Sequence, residues 1–139
     1  MIDLSTKLIG NNELFDQLFS IYSNNSLPNS IILQGQKGIG KNKFALTLIN
    51  KIFLDNSNNN NHTNLIINNS HTNLRLLYKK VDKKTNKIKP FITIDQIRDI
   101  EIFLYQSSLN DLPKFIIIDS ADDLNENSSN AILKILEEP

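Results

Sequence analysis

The spacing of apolar residues predicts four helices. Apolar side chains recur every three or four positions over residues 12–23, 41–54, 94–106 and 126–138, which is the spacing of an amphipathic helix with one buried stripe. Thr93 and Asn125 stand where the N-caps of the last two helices are expected. Pro28 and Pro139 follow the first and last helices, where a proline favours termination.

Three short apolar runs between turn residues predict strands, at residues 30–34, 74–78 and 114–118. The run at 114–118 is continuously apolar, which is typical of a strand covered on both faces in a parallel sheet. Strands that alternate with helices indicate an α/β fold.

Two segments do not follow these patterns. Residues 55–70 are dominated by asparagine, and such a polar stretch is expected to be a mobile insertion because it buries little apolar area. Residues 79–89 carry six lysines and end at Pro90. A solvated loop or hairpin is the expected structure of this segment, and a phosphate-binding patch is the alternative.

Composition limits the function. A chain of 139 residues supports one compact domain, and its 15 basic and 15 acidic side chains cancel, so tight DNA binding by this chain alone is not expected. Without cysteine there is no disulfide and no thiolate zinc site. The sequence has neither a signal peptide nor a membrane span, so a soluble cytoplasmic protein is expected.

A glycine-rich loop carries the main chemical prediction. The sequence G-x-x-x-x-G-K runs from Gly35 to Lys41, between a predicted strand and a predicted helix, and includes Gly38 and Gly40. Glycines allow backbone amides to surround a phosphate, the helix N-terminus adds partial positive charge, and Lys41 reaches the outer phosphates. An ordinary glycine-rich turn would not explain the flanking strand and helix.

Two catalytic positions depart from an active nucleotide-hydrolysing site. Asn42 replaces the Ser or Thr whose hydroxyl binds magnesium. The strand before Asp119 matches a Walker B strand, but Ser120 stands where a water-activating glutamate is needed. Asp122 and Asp123 are nearby but are interpreted as solvated acids. We therefore expect weak or absent Mg-nucleotide binding and no catalytic residue.

Several stretches together resemble the clamp-loader branch of the AAA+ proteins, in particular the delta-prime subunit of bacterial DNA polymerase III. Most specific is Asn130–Pro139, which resembles the Asn-Ala-Leu-Leu-Lys-x-Leu-Glu-Glu-Pro signature of gamma and delta-prime subunits. The other similar stretches are Leu8–Gly10, Leu27–Leu33, His71–Leu74, Ile94–Arg98 and Asp119–Leu124.

The resemblance implies a P-loop NTPase (AAA+) three-layer αβα fold with a parallel sheet, of which residues 1–139 would be the N-terminal part. On this reading the chain is truncated after the Walker B helix and lacks the sensor strand, the trans-acting arginine and the collar domain. We then expect an exposed sheet edge, with a gap or a rearranged order between the strands at 30–34 and 114–118. A chain this short is also expected not to assemble stably with gamma-type subunits.

The implied function is a non-catalytic subunit of the DNA-directed DNA polymerase III holoenzyme that helps to load the sliding clamp on primed DNA. Its partners would be the gamma/tau and delta subunits, with clamp and DNA reached through the complex and no membrane involved. No cofactor is required, although weak ATP or ADP binding is possible at a degenerate site. That site comprises Gly35, Gly38, Gly40, Lys41, Asn42 and Asp119.

Alternatives remain at this point: an ATP-hydrolysing gamma/tau-like subunit, another P-loop NTPase that uses Asn42, or a stand-alone phosphate-binding domain. Many relatives carry a four-cysteine zinc module that this chain lacks. His62 and His71 are interpreted as surface residues of a mobile loop and not as a metal site.

Overall fold

The computed structural model of the protein describes residues 12–36, 38–56, 61–106 and 112–137. Two compact units divide the chain, Met1–Thr72 and Asn73–Pro139. The stretch Leu8–Gly10, Lys37, Glu138 and Pro139, which entered the sequence predictions, lie outside the described residues.

The first unit is helical in its described part. It contains α1 (Asn12–Ser23), α2 (Lys41–Asn56) and α3 (Asn61–Ile67), and the helices predicted at 12–23 and 41–54 are confirmed. Most of its buried apolar side chains belong to α2. They are Phe44, Leu46, Leu48, Ile49, Ile52 and Phe53.

Aromatic contacts join α1 to α2. The ring of Phe15 meets that of Phe44 edge to face, with 5.7 Å between centroids. The Nζ atom of Lys51 lies 4.2 Å from the ring centroid of Phe19, a cation–π contact. α1 is therefore held by its aromatic residues, although none of its side chains is fully buried.

Asparagines terminate two of the helices. After α1, Asn25 has φ 57°, its amide donates to Tyr22 O, and the amide of Ser26 donates to Ile21 O. After α3, Asn69 has φ 53°, and the amides of Asn69 and Ser70 bond to Ile66 and Leu65 in the same way. Both ends are Schellman motifs, in which a left-handed residue satisfies the last free carbonyls of the helix.

The prediction of a buried strand at residues 30–34 is wrong. This stretch has no regular secondary structure, and the side chains of Ile31 and Ile32 are 43% and 83% exposed. An apolar run becomes a strand only when neighbouring strands pair with its backbone and other elements cover its faces. The described residues show neither condition for this run.

The prediction that residues 55–70 form a mobile insertion without a core is wrong for residues 61–67. Residues 61–67 form α3, in which Ile66 has no exposed surface and His62 is buried. The interruption of the asparagine run by apolar residues at 65–67 is enough for one short helix, because α2 already offers an apolar face.

The second unit contains a parallel sheet and two helices. β1 (Leu74–Leu77) pairs with β2 (Phe115–Ile118), in a register that runs from Leu74↔Phe115 to Leu77↔Ile118. α4 (Ile94–Tyr105) and α5 (Glu126–Glu137) pack against each other. An α/β chain with a parallel sheet is thus confirmed, as are the strands predicted at 74–78 and 114–118 and the helices predicted at 94–106 and 126–138.

Both predicted N-caps are confirmed. Thr93 Oγ1 accepts the amide of Gln96, and the Gln96 side chain accepts the amide of Thr93, which is a capping box. Asn125 Oδ1 accepts the amide of Ser128 at 2.8 Å. The core beneath these caps consists of Leu77, Ile92, Ile97 and Ile100.

None of the helices within the described ranges is long and apolar enough to cross a membrane.

Candidate functional site

The glycine-rich loop leads directly into α2. Gly38 and Gly40 have φ of 88° and 93°, a left-handed region that costs a residue with a Cβ atom about 1–2 kcal/mol. A Cβ atom on Gly35 would lie 2.4 Å from Ile39 Cδ1. Glycine at 38 and 40 is therefore favoured by backbone conformation. At position 35 the contact is with the end of the exposed Ile39 side chain, which can shift, so glycine is not strictly required there.

Lys41 is the first residue of α2, and its side chain folds back over the loop. Its Nζ atom donates to the carbonyl oxygen of Gly35 at 2.8 Å. The first turn of α2 also contains Lys43 and no acidic residue. Two cations at the positive end of a helix dipole destabilise the helix terminus, and a bound anion would relieve this repulsion.

Asn42 lies exposed in the first turn of α2, between the two lysines. Its side chain ends in a planar amide on a longer arm than a serine or threonine hydroxyl. An amide oxygen is an acceptable ligand for a hard cation, but magnesium demands near-ideal octahedral geometry. Asn42 is therefore a poor ligand for a magnesium ion.

Asp119 follows β2 immediately. Its amide donates to Leu77 O at 2.9 Å, which extends the parallel ladder by one bond. Its side chain is exposed at the carboxyl end of the strands, the edge at which open α/β sheets usually bind ligands.

Ser120 continues from Asp119 in extended conformation and precedes a 3₁₀ turn, Ala121–Asp123. Its side chain makes no capping hydrogen bond with this turn. A serine hydroxyl at this position is not a carboxylate, so it lacks the basicity needed to activate water.

The two acids after Ser120 differ in their surroundings. Asp123 Oδ1 lies 3.5 Å from Lys79 Nζ, and the Asp123 backbone oxygen accepts the amide of Ile92. Asp122 is exposed. The ion pair holds the Asp123 carboxylate against the segment that leaves β1, which opposes its use as a substitute base.

The predicted site residues fall in both units. The first unit holds Gly35, Gly38, Gly40, Lys41 and Asn42, and the hydrogen bond between Lys41 and Gly35 brings the two ends of the loop together. The second unit holds Asp119 and Ser120 at the end of β2.

The prediction that His62 and His71 are surface residues is wrong. They are 6% and 4% exposed, and His62 Nδ1 lies 2.9 Å from His71 Nε2. The His71 ring stacks on Phe53 at 4.1 Å with 5° between planes. Within the described ranges, no group of three or more His, Cys, Asp or Glu side chains could hold a metal ion.

Three buried polar side chains that sequence reasoning did not single out organise the second unit. Asn73 Nδ2 donates to Leu112 O, Gln96 Nε2 donates to Tyr78 O, and Ser128 Oγ donates to Ile92 O. Gln96 has a detectable sequence pattern, the capping box that it forms with Thr93. No local pattern distinguishes Ser128, because its partner is 36 residues away.

Comparison with protein families decides the relationship. Residues 10–139 match the family model described as DNA polymerase III, delta subunit. The chain belongs to this family. It is thus related to the clamp-loader subunits of a replicative DNA polymerase, as the resemblance of its motifs predicts. No curated protein matches the chain significantly.

Proposed function

We propose that the chain is a non-catalytic, delta-prime-like subunit of a bacterial DNA polymerase III clamp loader. Such a subunit supplies a surface for neighbouring ATP-hydrolysing gamma/tau subunits and for delta as they place the sliding clamp on primed DNA. Membership of the DNA polymerase III, delta subunit family supports a role in the polymerase III complex. The run Asn130–Pro139 resembles the signature of gamma and delta-prime subunits, and it supports assignment to this branch of the clamp-loader subunits.

One observation carries the non-catalytic assignment: the sequence G-x-x-x-x-G-K is followed by Asn42, and Asp119 at the end of the strand is followed by Ser120. The loop still has left-handed Gly38 and Gly40 and the lysine of the motif. Both groups that handle magnesium and water are replaced. Selective replacement at these two positions is what distinguishes a delta-prime subunit from a gamma subunit.

The chain retains only some of the residue types that nucleotide hydrolysis needs. In the first unit, Gly35, Gly38, Gly40 and Lys41 would hold phosphates. In the second unit, Asp119 is an acidic residue of the type that binds a metal ion, and Asp123, an alternative base, is paired with Lys79. Weak ATP or ADP binding without turnover follows, and no cofactor is required for the proposed role.

The same proposal assigns residues 1–139 to an AAA+ domain with a three-layer αβα architecture, and residues 55–70 to an insertion within it. It also places the protein in the cytoplasm, where a bacterial replication complex works.

ATP turnover by the purified chain tests the assignment. We expect no magnesium-dependent phosphate release above background, because loss of a catalytic base alone costs about two to four decades in rate. The Lys41→Ala variant is the control for contaminating ATPases. Turnover that is sustained and disappears in Lys41→Ala would contradict the proposal.

The second candidate is an ATP-hydrolysing gamma/tau-like subunit, which the retained glycine loop and Lys41 favour. Titration of the purified chain with Mg-ATP separates the two candidates. A delta-prime-like chain should bind Mg-ATP weakly or not at all. A gamma-like chain should bind and hydrolyse it, and Lys41→Ala should abolish both.

A further inference from the structure

The lysine-rich segment folds as a defined hairpin. Val81 and Ile88 form an antiparallel bridge, the amide of Asp82 donates to Lys87 O, and the amide of Lys89 donates to Lys80 O. Asp82 Oδ1 accepts the amide of Lys84 inside the turn. Asn86 has φ 56°, a conformation that asparagine tolerates better than most residues.

The hairpin concentrates positive charge. It contains six of the 15 basic side chains of a neutral protein. Lys79 pairs with Asp123, and the single acid of the segment, Asp82, is engaged in the turn. Lys80, Lys83, Lys84 and Lys87 are exposed. The six lysines of the hairpin thus face one acidic side chain within it, Asp82, and the segment keeps a clear excess of positive charge.

Exposed aromatic rings flank the hairpin. Tyr78 enters it and Phe91 leaves it, with exposed fractions of 41% and 45%. The Gln96 side chain donates from Nε2 to the carbonyl oxygen of Tyr78. Next to Phe91, the amide of Ile92 donates to the carbonyl oxygen of Asp123. Both aromatic residues therefore lie next to backbone that the second unit fixes in place.

We propose that this hairpin, residues 78–91, is a binding surface for single-stranded DNA. Lysines that follow a phosphate backbone, combined with accessible aromatic rings on which bases stack, are the recurring means of sequence-independent single-strand binding. The lysines of the tip contact phosphates, and Phe91 and Tyr78 stack on bases. The proposal does not depend on the nucleotide site or on the non-catalytic assignment.

The aromatic residues favour this occupant over an acidic protein segment. An acidic segment would satisfy the lysines equally well, but it has no bases to cover two half-exposed rings. Electrostatic attraction for DNA is limited to the hairpin, because the protein as a whole has no net positive charge. Binding by this chain alone is therefore expected to be weak and strongly dependent on salt.

Fluorescence anisotropy of a labelled oligodeoxythymidylate, measured over a series of salt concentrations, tests the phosphate contacts. For single strands the slope of log affinity against log salt is about −0.7 per phosphate contacted. The Lys83→Gln/Lys84→Gln variant should therefore reduce the magnitude of this slope by about 1.4. The Arg98→Gln/Lys134→Gln variant removes the same charge from exposed positions outside the hairpin and should leave the slope unchanged.

A second substitution tests stacking. Phe91→Leu keeps the apolar surface but removes the ring, and it should weaken oligodeoxythymidylate binding about fivefold or more. Binding of an abasic oligonucleotide should not change. Circular dichroism spectra that match the parent's confirm that the exposed substitutions leave the fold intact.

Three outcomes would overturn the proposal. One is an oligodeoxythymidylate that does not bind even at low salt. Another is an equal loss of salt dependence in the hairpin and control variants. The third is polyglutamate binding as tight as oligodeoxythymidylate binding, with no effect of Phe91→Leu on either, which would assign the surface to an acidic protein partner.

Discussion

At the scale of single residues, the His62–His71 pair links the asparagine-rich segment to α2. The two rings share a hydrogen bond, and His62 Nε2 is buried without a hydrogen-bond partner among the described residues. A buried polar group without a partner costs free energy. The pair persists because His71 stacks on Phe53 and His62 packs against the same ring at a tilt. The two histidines therefore supply buried side chains at α3, in a segment whose sequence is otherwise almost entirely polar.

Substitution of His71 tests this contribution. His71→Ala removes a buried ring and should lower the free energy of unfolding by about 3 kcal/mol. His71→Phe keeps the stacking and loses the hydrogen bond, so about 1 kcal/mol is expected. Urea unfolding followed by circular dichroism measures both. Equal losses in the two variants would show that the ring stack on Phe53 contributes little.

At the scale of elements, burial separates two apolar runs that look alike in sequence. Ile32 lies in the run at 30–34 and is 83% exposed, whereas Ile66 lies in α3 and has no exposed surface. An apolar side chain contributes stability only when folding removes it from water. The two isoleucines should therefore respond very differently to the same change.

Ile32→Ala should alter the free energy of unfolding by less than about 0.5 kcal/mol. Ile66→Ala should cost about 3 kcal/mol, because it leaves a cavity between α3 and its neighbours. Denaturant midpoints of the two variants, with the parent alongside, provide the comparison. A loss above about 2 kcal/mol at Ile32 would mean that the run at 30–34 is a buried strand after all.

A buried serine fixes the start of α5 in the second unit. Ser128 has no exposed surface, and its hydroxyl donates to Ile92 O at 2.8 Å. Ser128→Ala leaves that carbonyl without the hydroxyl and should cost about 1.5 kcal/mol. The adjacent Ser129→Ala is the matched control and should stay within about 0.5 kcal/mol. Thermal or urea unfolding measures both losses, and a similar loss at both positions would contradict a specific contribution of the Ser128 hydroxyl, because alanine itself favours the helix over serine.

At the scale of the whole molecule, the two replaced motif positions belong to different units of the chain. Asn42 belongs to the first unit and Ser120 to the second. A variant that changes both positions restores the two residue types that an active nucleotide-hydrolysing motif requires.

The Asn42→Thr/Ser120→Glu variant should bind Mg-ATP about tenfold more tightly than the parent, a gain of about 1.4 kcal/mol. The reason is that a threonine at position 42 would restore a metal-binding hydroxyl next to Lys41, and a glutamate at position 120 would add a carboxylate next to Asp119. Isothermal titration with and without magnesium measures the change, and adding Lys41→Ala should abolish it. A variant that binds no better than the parent would show that the loop does not hold phosphates.

Local sequence was sufficient for several features that depend on local physics. Helix periodicity, the Thr93 and Asn125 caps and the glycine loop were all recognisable, because their hydrogen bonds and backbone angles involve residues a few positions apart. Family membership was recognisable for a similar reason, since short motifs such as Asn130–Pro139 are contiguous.

Tertiary structure alone decided which apolar and polar residues are buried. The run at 30–34 stays exposed because a strand depends on partners elsewhere in the chain, and α3 forms because α2 and Phe53 offer it an apolar surface. Two contacts join residues that lie more than 30 positions apart in sequence. They are the ion pair of Lys79 with Asp123 and the hydrogen bond from the Ser128 hydroxyl to Ile92 O. Burial is a property of what surrounds a residue, and only the folded chain brings those surroundings together.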